Sequence, residues 1–427
     1  MKNLIKNLIQ HVLTGLAKVW LKRKSPKIIG ITGSVGKTSI KEAVYTVLSK
    51  KFEVKKSAGN YNTEFGVPLS ILGLESGNSS PALWLKVLAR AFYLAFFDLT
   101  RTDILILEMG IDKPGDMDVL LKIVKVDVGI LANVKPIHLA EGQFVSLDAI
   151  FDEKSKMLKS LSQFSVAILN IDDVRVKRLA TSLGCKVMTY STVDGDAAFT
   201  AKEIELVDSG LKFHVYHGGQ RALAQLPILG EYHVYVLLPA IACGVATGMS
   251  LDETVSALQE FDLPPGRMNV LAGVNNSILI DSSYNSSPDA AFEALKVLKE
   301  IGEKAHRKIA VLGNMNELGD FTEREHRRIG KKVPECCDIL IAVGDYTKYI
   351  CDEARTSGMA ENQVRWFKDV FEAKEFLKDK IEQGDILLVK GSQNKVRLEI
   401  LVKELMRDKD KAGELLVRQG KEWEEVW

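Results

Sequence analysis

A short glycine-bearing segment near the start of the chain combines residue types that bind phosphate groups. It reads ITGSVGKTS at positions 31–39, after an apolar run and before a helical pattern. Glycines let backbone N–H groups curl around phosphate oxygens, and the start of the following helix adds partial positive charge. The lysine of such a segment reaches the terminal phosphates, and the threonine hydroxyl can bind Mg²⁺. We therefore predict a nucleoside triphosphate site at Gly33, Ser34, Val35, Gly36, Lys37, Thr38 and Ser39.

The spacing within this segment differs from the usual GxxxxGK[ST] pattern, because Ile31 stands where the first glycine of that pattern belongs. The alternative interpretation is an ordinary strand-to-helix turn that contains a chance Gly-Lys-Thr. The strand–loop–helix context favours the phosphate site.

Two further polar side chains follow apolar runs that resemble buried strands. Glu108 ends the run DILILE, and His138 comes four residues after the run DVGILANV. Sites of α/β proteins collect at the carboxyl ends of their strands, so both side chains are candidate Mg²⁺ ligands. From the residues alone, Glu108 is equally well a structural or solvated strand end, and a surface or core histidine is the better interpretation of His138.

An alternation of apolar runs and helical segments from Pro26 onward indicates how these residues are positioned. Near-continuous apolar runs are typical of buried strands in a parallel sheet. They occupy residues 27–32, 103–110, 127–134 and 166–172. Residues 196–230 are instead typical of antiparallel strands, with a tight turn at Gly218-Gly219. We therefore predict a central parallel-sheet domain of the P-loop NTPase type with a small antiparallel β insertion.

A Pro/Gly cluster, DLPPGRM at 262–268, marks a domain boundary. Four further strands alternate with helices after it, at 277–284, 308–315, 338–344 and 385–392. This alternation predicts an open, Rossmann-like α/β domain with right-handed crossovers. The predicted fold class is α/β, and the chain divides into a basic amphipathic helix, a central domain and a C-terminal domain, at residues 1–25, 26–264 and 265–427.

The first 27 residues contain seven basic residues, no acidic residue and an apolar pattern at helical spacing. Two interpretations remain open: a helix packed on the body of the protein, or a helix lying on an anionic membrane surface. Another apolar stretch, 83–99, is interrupted by Lys86, Arg90 and Asp98. It lacks the ~20 uninterrupted apolar residues of a membrane span, and we predict that it forms a buried helix.

The composition of the chain excludes some classes of partner. Its 427 residues include 57 Lys and Arg against 56 Asp and Glu, which leaves a formal net charge of +1. This balance provides no global field for nucleic acid, so anion binding must be local. The five cysteines show no CxxC and no His-linked spacing. Their pattern implies neither a disulfide framework nor a zinc site, and it fits a reducing cytoplasm.

Several ordered motifs between residues 26 and 407 resemble those of the Mur ligase family, and most closely its MurF-type, D-alanyl-D-alanine-adding branch. GSVGKTS is similar to the family's GxxGKT[ST] loop, which accommodates the unusual spacing. GNYNTEFGVPLSIL at 59–72 resembles the GNxNNExGVPL segment of the branch. The other matching motifs follow in the family's order: LEMG at 107–110, IFDEKSKML at 150–158, LNIDD at 169–173, PGRM at 265–268, DSSYNSSP at 281–288, VLGNMNELG at 311–319 and LVKGS at 388–392.

The resemblance implies an ATP-dependent, amide-forming ligase of peptidoglycan precursor synthesis. Because a carboxylate is a poor electrophile, the carboxylate of a muramyl-peptide-type acceptor would first take the γ-phosphoryl group of ATP. The amine of D-Ala-D-Ala would then attack this acyl phosphate. Two Mg²⁺ ions would offset the charges of the triphosphate and the carboxylate. The family pattern implies Thr38 and Glu108 on one ion, and His138 with a carbamylated Lys154 on the other.

Further roles follow from the same resemblance. Catalysis would depend on Lys37, His138 and Lys154. The second domain would contact ATP through Arg267, Asp281 and Tyr284. The substrates would be bound by Asn60, Asn62, Thr63, Asn285, Asn314, Lys390 and Ser392. Closure about 262–268 would bring the two domains together. An unmodified Lys154 would instead repel Mg²⁺ or lie exposed on its helix.

The chain also departs from the family pattern. Most MurF-type enzymes have a UDP-binding N-terminal domain before the strand that leads into the loop. Here, residues 1–25 precede that strand. His233 and Val236 stand in place of two asparagines, and Gln393 replaces an arginine. Two alternatives to a MurF-type ligase therefore remain. One is a short Mur-like ligase for another, membrane-linked carboxylate, working in the cytoplasm at the inner face of the membrane. The other is a non-catalytic ATP-binding subunit.

Overall fold

The computed structural model describes residues 2–57, 63–78, 80–136, 142–393, 396–420 and 423. The chain divides into two compact units. Unit 1 comprises residues 1–227 and 231–262, and unit 2 comprises residues 228–230 and 263–427. Each unit is built on its own β-sheet with helices packed against it, so the predicted α/β fold class is confirmed.

Unit 1 is built on one sheet, which has nine strands among the described residues. In chain order they are β1 (Lys27–Thr32), β2 (Val54–Lys56), β3 (Ile104–Glu108), β4 (Val128–Leu131), β5 (Val166–Asn170), β6 (Lys186–Ser191), β7 (Phe199–Val207), β8 (Gly210–His217) and β9 (Gln220–Leu226). Across the sheet they lie in the order β2-β3-β1-β4-β5-β6-β7-β8-β9. Neighbours from β2 to β7 are parallel, whereas β8 is antiparallel to both β7 and β9. The predicted antiparallel insertion is therefore continuous with the parallel sheet.

The strands predicted from apolar runs lie together in this sheet as β3-β1-β4-β5. Every residue of β3 and β4 is buried, and only the first residue of β1 is exposed. A parallel strand covered on both faces must be apolar at nearly every position, which explains the continuous runs. Strands β2 and β6 carry more polar residues, and the sequence analysis did not predict them.

Along the chain, the helices of unit 1 precede, separate and follow its strands. In the described part of the chain they are α1 (Lys2–Lys24), α2 (Lys37–Leu48), α3 (Gly66–Leu72), α4 (Pro81–Phe97), α5 (Asp116–Leu121), α6 (Leu147–Lys159), α7 (Val174–Ala180), α8 (Val234–Ala246) and α9 (Leu251–Ala257). Helix α2 follows the predicted phosphate loop and packs against α8. None of the helices in the described part of the chain has the length and apolar character needed to span a bilayer.

Helix α1 packs on α3 and α4, as the first of its two interpretations predicts. An apolar stripe formed by Leu13, Ala17 and Trp20 is buried, whereas Leu8 and Val12 are exposed. The indole Nε1 of Trp20 donates to Asp98 Oδ2 at 3.0 Å, and Arg23 donates to the Ala95 carbonyl at 2.6 Å. These bonds join the end of α1 to the end of α4.

The prediction that residues 83–99 form a buried helix is wrong in one respect. The helix exists as α4, but Ala91 and Ala95 are its only buried residues. One face of α4 packs on α1, and the opposite face exposes large apolar side chains, among them Leu85 and Phe97. An apolar sequence shows that a helix can be buried, but not whether the fold supplies a second element to cover it.

Unit 2 is built on a six-stranded sheet, counted among the described residues. Its strands are β10 (Asn269–Ala272), β11 (Ile278–Ser282), β12 (Lys308–Gly313), β13 (Ile339–Val343), β14 (Val364–Phe367) and β15 (Ile386–Lys390). They lie in the order β10-β11-β15-β12-β13-β14, and all neighbours are parallel except β10 and β11. Its described helices are α10 (Pro288–Ile301), α11 (Thr322–Lys332), α12 (Lys348–Thr356), α13 (Val370–Leu377), α14 (Glu399–Leu405) and α15 (Ala412–Leu415).

The four strands predicted for this region are β11, β12, β13 and β15, which form the centre of the sheet. The two strands at its edges, β10 and β14, were missed. Both are four residues long and partly exposed, so neither shows the continuous apolar run of a central strand.

Candidate active site

The predicted phosphate loop connects β1 to α2. Its last glycine, Gly36, stands at the N-cap of α2 with φ of +88°. A residue with a β-carbon would be strained in this left-handed conformation, which explains the glycine. Gly36 has no side chain to cap the helix, so the first amides of α2 are available to an anion.

The segment after β4 holds this loop in place. The Asn133 side chain accepts from the Val35 amide and donates to the Val35 carbonyl, both at 3.0 Å. The Ser34 amide donates to the Asn133 carbonyl at 3.0 Å, and the Lys135 amide donates to Ser34 Oγ at 2.8 Å. The sequence analysis missed Asn133. Its signal is a polar residue two positions after a buried strand.

Thr38 and Glu108 meet at the carboxyl ends of β1 and β3, which are neighbours in the sheet. The Thr38 hydroxyl donates to Glu108 Oε2 at 3.2 Å. The carboxylate is buried, with only 2% of its side chain exposed. Glu108 is therefore not the solvated strand end that was one of its two interpretations.

Lys41 is the partner of Glu108 that the sequence analysis missed. Its Nζ lies 3.1 Å from Glu108 Oε1, and it donates to the Ser57 carbonyl at 2.8 Å. Both charges are almost fully buried, so each needs the other to offset its loss of hydration. The available signal was a second lysine one helical turn after Lys37.

Two lysines converge on the carbonyl oxygen of Gly33. Lys37 Nζ donates to it at 2.8 Å, and Lys154 Nζ, from α6, donates at 3.1 Å. Lys154 is completely buried, and burial together with the charge of Lys37 lowers the pKa of its amine well below the ordinary value. Asp112 and Glu153 oppose this shift. The interpretation of Lys154 as an exposed lysine is therefore wrong.

These groups fit a nucleoside triphosphate with Mg²⁺. Proteins usually hold Mg²⁺ by one or two carboxylates together with phosphate oxygens, and Thr38 and Glu108 provide oxygens of this kind. Among the described residues, no three His, Cys, Asp or Glu side chains converge on one metal position. His138, Asn60 and Asn62 lie outside the described residues. Thr63 lies just before α3, where its hydroxyl accepts from an amide of that helix.

A second group of predicted residues lies in unit 2, at the carboxyl ends of β11 and β15. Lys390 Nζ donates to Ser282 Oγ at 3.2 Å and to the Asn285 carbonyl at 2.9 Å. Asp281 Oδ1 accepts from the Ser283 amide at 3.0 Å, while its Oδ2 is buried without a hydrogen bond. Burial lowers the pKa of Lys390 to about 7 and raises the pKa of Asp281 to about 6.

Ser392 and Asn314 connect the turns that follow β15 and β12. Ser392 Oγ donates to the Ser286 carbonyl at 3.2 Å and accepts from the Asn316 amide at 3.1 Å. The Ser392 amide donates to the Asn314 carbonyl at 2.9 Å, and the Asn314 side chain accepts from the Tyr346 amide at 3.1 Å. Both predicted residues therefore have structural partners within unit 2.

Arg267 and Tyr284 also lie together, with the guanidinium group 4.1 Å from the ring centroid. Arg418 fixes the same turn, since it donates to the Ser283 carbonyl at 2.8 Å and to the Tyr284 carbonyl at 3.1 Å. It also forms an ion pair with the buried Glu399 at 3.0 Å. The sequence analysis missed Arg418 because it lies beyond the last recognised motif.

Comparisons with protein families match two stretches of the chain. The model described as "Mur ligase middle domain" matches residues 31–244, and "Mur ligase, glutamate ligase domain" matches residues 266–393. UDP-N-acetylmuramoyl-tripeptide–D-alanyl-D-alanine ligase of Bacillus subtilis is 25% identical over 403 residues, covering 93% of this chain and 80% of its own length. The Synechocystis ligase of the same name is 30% identical over 405 residues, covering 93% of this chain and 78% of its own.

Solved structures agree with this match. MurF from Acinetobacter baumannii is 26% identical and superposes with a TM-score of 0.76, covering 93% of this chain and 81% of that chain. MurF from Thermotoga maritima in complex with ADP shares the fold, with a TM-score of 0.76 at 23% identity, and covers 94% of this chain and 84% of that chain. The loop that connects β1 to α2 and the strand-end carboxylate thus lie in a framework shared with ligases. The chain belongs to the Mur ligase family, whose members are ATP-dependent, amide-forming ligases that use Mg²⁺.

Proposed function

We propose that this enzyme joins D-Ala-D-Ala to the terminal carboxylate of a muramyl-peptide-type acceptor in cell-wall precursor synthesis. The pairing of Thr38 with Glu108 beside the glycine loop carries the proposal, because a hydroxyl and a carboxylate at this position could hold Mg²⁺ next to phosphates bound by the loop. The named relatives, which add D-alanyl-D-alanine and match along 93% of the chain, support the choice of substrates.

The proposed reaction has two steps. An oxygen of the acceptor carboxylate attacks the γ-phosphorus of ATP, and the bond to the bridging oxygen breaks, so that ADP leaves and an acyl phosphate forms. The amine of D-Ala-D-Ala then attacks the acyl carbon, loses a proton, and inorganic phosphate leaves as the amide forms. The amides at the start of α2 and Lys37 would hold the phosphate oxygens, while Thr38 and Glu108 would hold one Mg²⁺ ion.

We propose a second Mg²⁺ ion held by His138 and by a carbamate on Lys154. Carbamylation requires a neutral amine, and burial beside Lys37 lowers the pKa of the Lys154 amine. CO₂ adds to this amine, a proton is released, and the nitrogen keeps one hydrogen, which can still bond to the Gly33 carbonyl. The modification replaces a cation with an anion and so reverses the charge that faces a metal.

The Lys154 proposal is tested by turnover with and without added bicarbonate. We expect bicarbonate to raise the activity of enzyme prepared free of CO₂, and Lys154→Ala to lower turnover by about 100-fold. Lys156→Ala is the matched control, because Lys156 lies two positions further along α6 with its side chain 36% exposed. Wild-type activity in Lys154→Ala would remove the carbamate from the mechanism.

In unit 2, we propose that Arg267, Asp281 and Tyr284 contact the nucleotide. Lys390, Ser392, Asn285 and Asn314 would contact the substrates, with Lys390 pairing with the dipeptide carboxylate. The mutual packing of Arg267 and Tyr284 and the burial of Lys390 support these assignments. We also propose that the acceptor is contacted by Asn60, Asn62 and Thr63.

We also propose that the enzyme works in the cytoplasm, peripherally at the inner face of the membrane. A membrane-linked carboxylate is then the second candidate acceptor. Because α1 buries its apolar stripe on α3 and α4, any lipid contact must involve side chains other than that stripe.

The proposed function is tested by the release of phosphate from ATP with each substrate alone and with both. We expect turnover only when D-Ala-D-Ala and a UDP-muramyl tripeptide are present together, and amide product in equal amount to phosphate. Turnover with a carboxylate acceptor that lacks UDP would favour the second candidate. ATP binding without acceptor-dependent turnover on any carboxylate would contradict both.

A further inference from the structure

Helix α4 and Leu99, two residues after its end, carry an apolar surface that the fold leaves uncovered. We define this aromatic face as Leu85, Phe92, Tyr93, Phe96, Phe97 and Leu99. Leu99 is 92% exposed, Leu85 is 72% exposed, and the four rings are between 43% and 58% exposed. Phe92 pairs with Phe96 one turn along, at 4.8 Å between ring centroids, and Tyr93 pairs with Phe97 at 5.9 Å. Contiguous exposed apolar side chains of this kind mark interaction sites.

The charge around the aromatic face is positive. Helices α1 and α4 contain no Asp or Glu, and Lys86 and Arg90 lie exposed on α4. The acidic residue that follows α4 in the chain, Asp98, is buried, accepts from Trp20 Nε1 at 3.0 Å and lies 3.4 Å from Lys24 Nζ. Its negative charge is therefore already compensated within the fold.

A groove lined by lysines lies beside the C-terminal end of α1. Its volume is about 750 Å³, and its lining includes Lys18, Lys22, Lys27, Lys122 and Lys125. Its one acidic lining residue, Asp127, already accepts from the Ile28 amide at 2.7 Å. We call this the lysine groove.

The end of α1 links the lysine groove to the helix that carries the aromatic face. Lys22 and Ser25 line the groove, while Arg23, between them in the chain, donates to the Ala95 and Asp98 carbonyls at the end of α4. The last turn of α1 therefore connects the lysine groove to the end of α4, where Phe96, Phe97 and Leu99 lie.

We propose that the aromatic face docks on a bilayer that contains anionic lipid, while the lysine groove and the basic residues of α1 and α4 contact the lipid phosphates. Aromatic rings are favoured at the membrane interface, and each exposed lysine gains from a negatively charged leaflet. A second copy of the chain would bring Lys86 and Arg90 against their own counterparts, which like-charge repulsion disfavours. The surface thus fits an anionic bilayer by both charge and hydrophobicity.

This inference rests on the peripheral location proposed above but not on the identity of the acceptor. It also moves the apolar lipid contact from the N-terminal helix to α4, while basic residues of both helices contact the lipid phosphates. The proposed substrates, D-Ala-D-Ala and a UDP-muramyl tripeptide, are soluble, so turnover can be assayed without lipid and separately from vesicle binding.

The test is flotation of the full chain with vesicles of phosphatidylcholine alone, or of phosphatidylcholine with phosphatidylglycerol. We expect binding to the anionic vesicles, weakened by high salt, and little binding to the neutral ones. Phe92→Ser, Phe96→Ser and Phe97→Ser combined should lower the bound fraction by more than about tenfold. Phe164→Ser is the matched control, because Phe164 is 88% exposed elsewhere in unit 1.

A second pair of variants tests the groove. Lys18→Ser with Lys22→Ser should weaken binding to anionic vesicles, whereas Lys186→Ser with Lys202→Ser, at exposed positions elsewhere, should not. All these variants should keep wild-type phosphate release with soluble substrates.

Three results would overturn the inference. These are no vesicle binding, equal binding to neutral and anionic vesicles at all salt concentrations, or unchanged binding of the triple Phe variant. A dimer that is lost in the triple Phe variant, without vesicle binding, would identify a second copy as the occupant and also overturn it. Vesicle binding by an enzyme that shows no turnover would instead contradict the proposed reaction.

Discussion

At the scale of single residues, the Glu108 carboxylate links catalysis to stability. One oxygen accepts from Thr38 at a position suited to Mg²⁺, and the other faces the buried ammonium group of Lys41. Removing the charge should therefore weaken metal binding and take away the buried carboxylate that faces Lys41. The sequence motif predicts the first consequence but not the second, because Lys41 is brought to Glu108 only by the packing of α2.

For Glu108→Gln we expect turnover to fall by about 100-fold and the Mg²⁺ requirement to rise. The free energy of unfolding should also fall by about 3 kcal/mol, as for other broken buried pairs. Glu42→Gln is the matched control, since Glu42 lies 3.5 Å from Lys41 but is 23% exposed. Magnesium titrations of phosphate release and urea unfolding measure the two effects.

Thr38→Ala separates the effect on the Mg²⁺ requirement from the effect on stability. It removes the hydroxyl and leaves the pair of Lys41 and Glu108 intact. We expect it to raise the Mg²⁺ requirement with little change in stability. An unchanged Mg²⁺ requirement in both Thr38→Ala and Glu108→Gln would contradict the metal assignment.

Asp281 makes the stability of the folded protein depend on pH, and its contribution falls as the pH rises. Burial raises its pKa to about 6 from the ordinary value of 3.8, so the folded state holds a proton that the unfolded state releases. The carboxyl group therefore favours the folded state below pH 3.8, and this contribution is lost as the pH rises through about 6.

The measurement is the unfolding free energy of wild type and Asp281→Asn at several pH values. Relative to the variant, the wild type should lose about 2 kcal/mol between pH 4 and pH 7, because each pKa unit corresponds to about 1.4 kcal/mol. If the difference in unfolding free energy between the two proteins stayed constant across this range, the raised pKa of the buried Asp281 carboxyl group would be contradicted.

At the scale of elements, α1 is held to the fold by Trp20. This side chain is fully buried and donates to Asp98, which ties α1 to the end of α4. For Trp20→Ala we expect the free energy of unfolding to fall by about 4 kcal/mol, since both a large cavity and a lost hydrogen bond result.

Leu8→Ala is the control on the same helix, because Leu8 is 65% exposed. Its effect in urea unfolding should be small. Equal effects of the two variants would show that α1 does not pack through its Trp20 face.

The elements that sequence could predict are those with a single strong signal. The strands β1, β3, β4 and β5 are continuous apolar runs, and the glycine loop is read from contiguous residues. The strands β2, β6, β10 and β14 are only partly buried and lack such a run. The exposure of α4 was missed for a related reason, since its composition is that of a buried helix and only the packing shows one bare face.

At the scale of the whole molecule, family membership and local chemistry agree. Both family models fall on the units that carry the predicted residues, and the relatives are amide-forming ligases. The sequence order of the motifs predicted this framework. It could not predict Asn133 or Arg418, because each holds a site segment through contacts across more than 95 residues of chain.

The most direct test of the central claim is a crystal structure with a non-hydrolysable ATP analogue and Mg²⁺. We expect the phosphates against the amides at the start of α2, with a metal ion bound by Thr38 Oγ1 and the Glu108 carboxylate. A triphosphate bound elsewhere, or a glycine loop left empty at saturating nucleotide, would contradict the account.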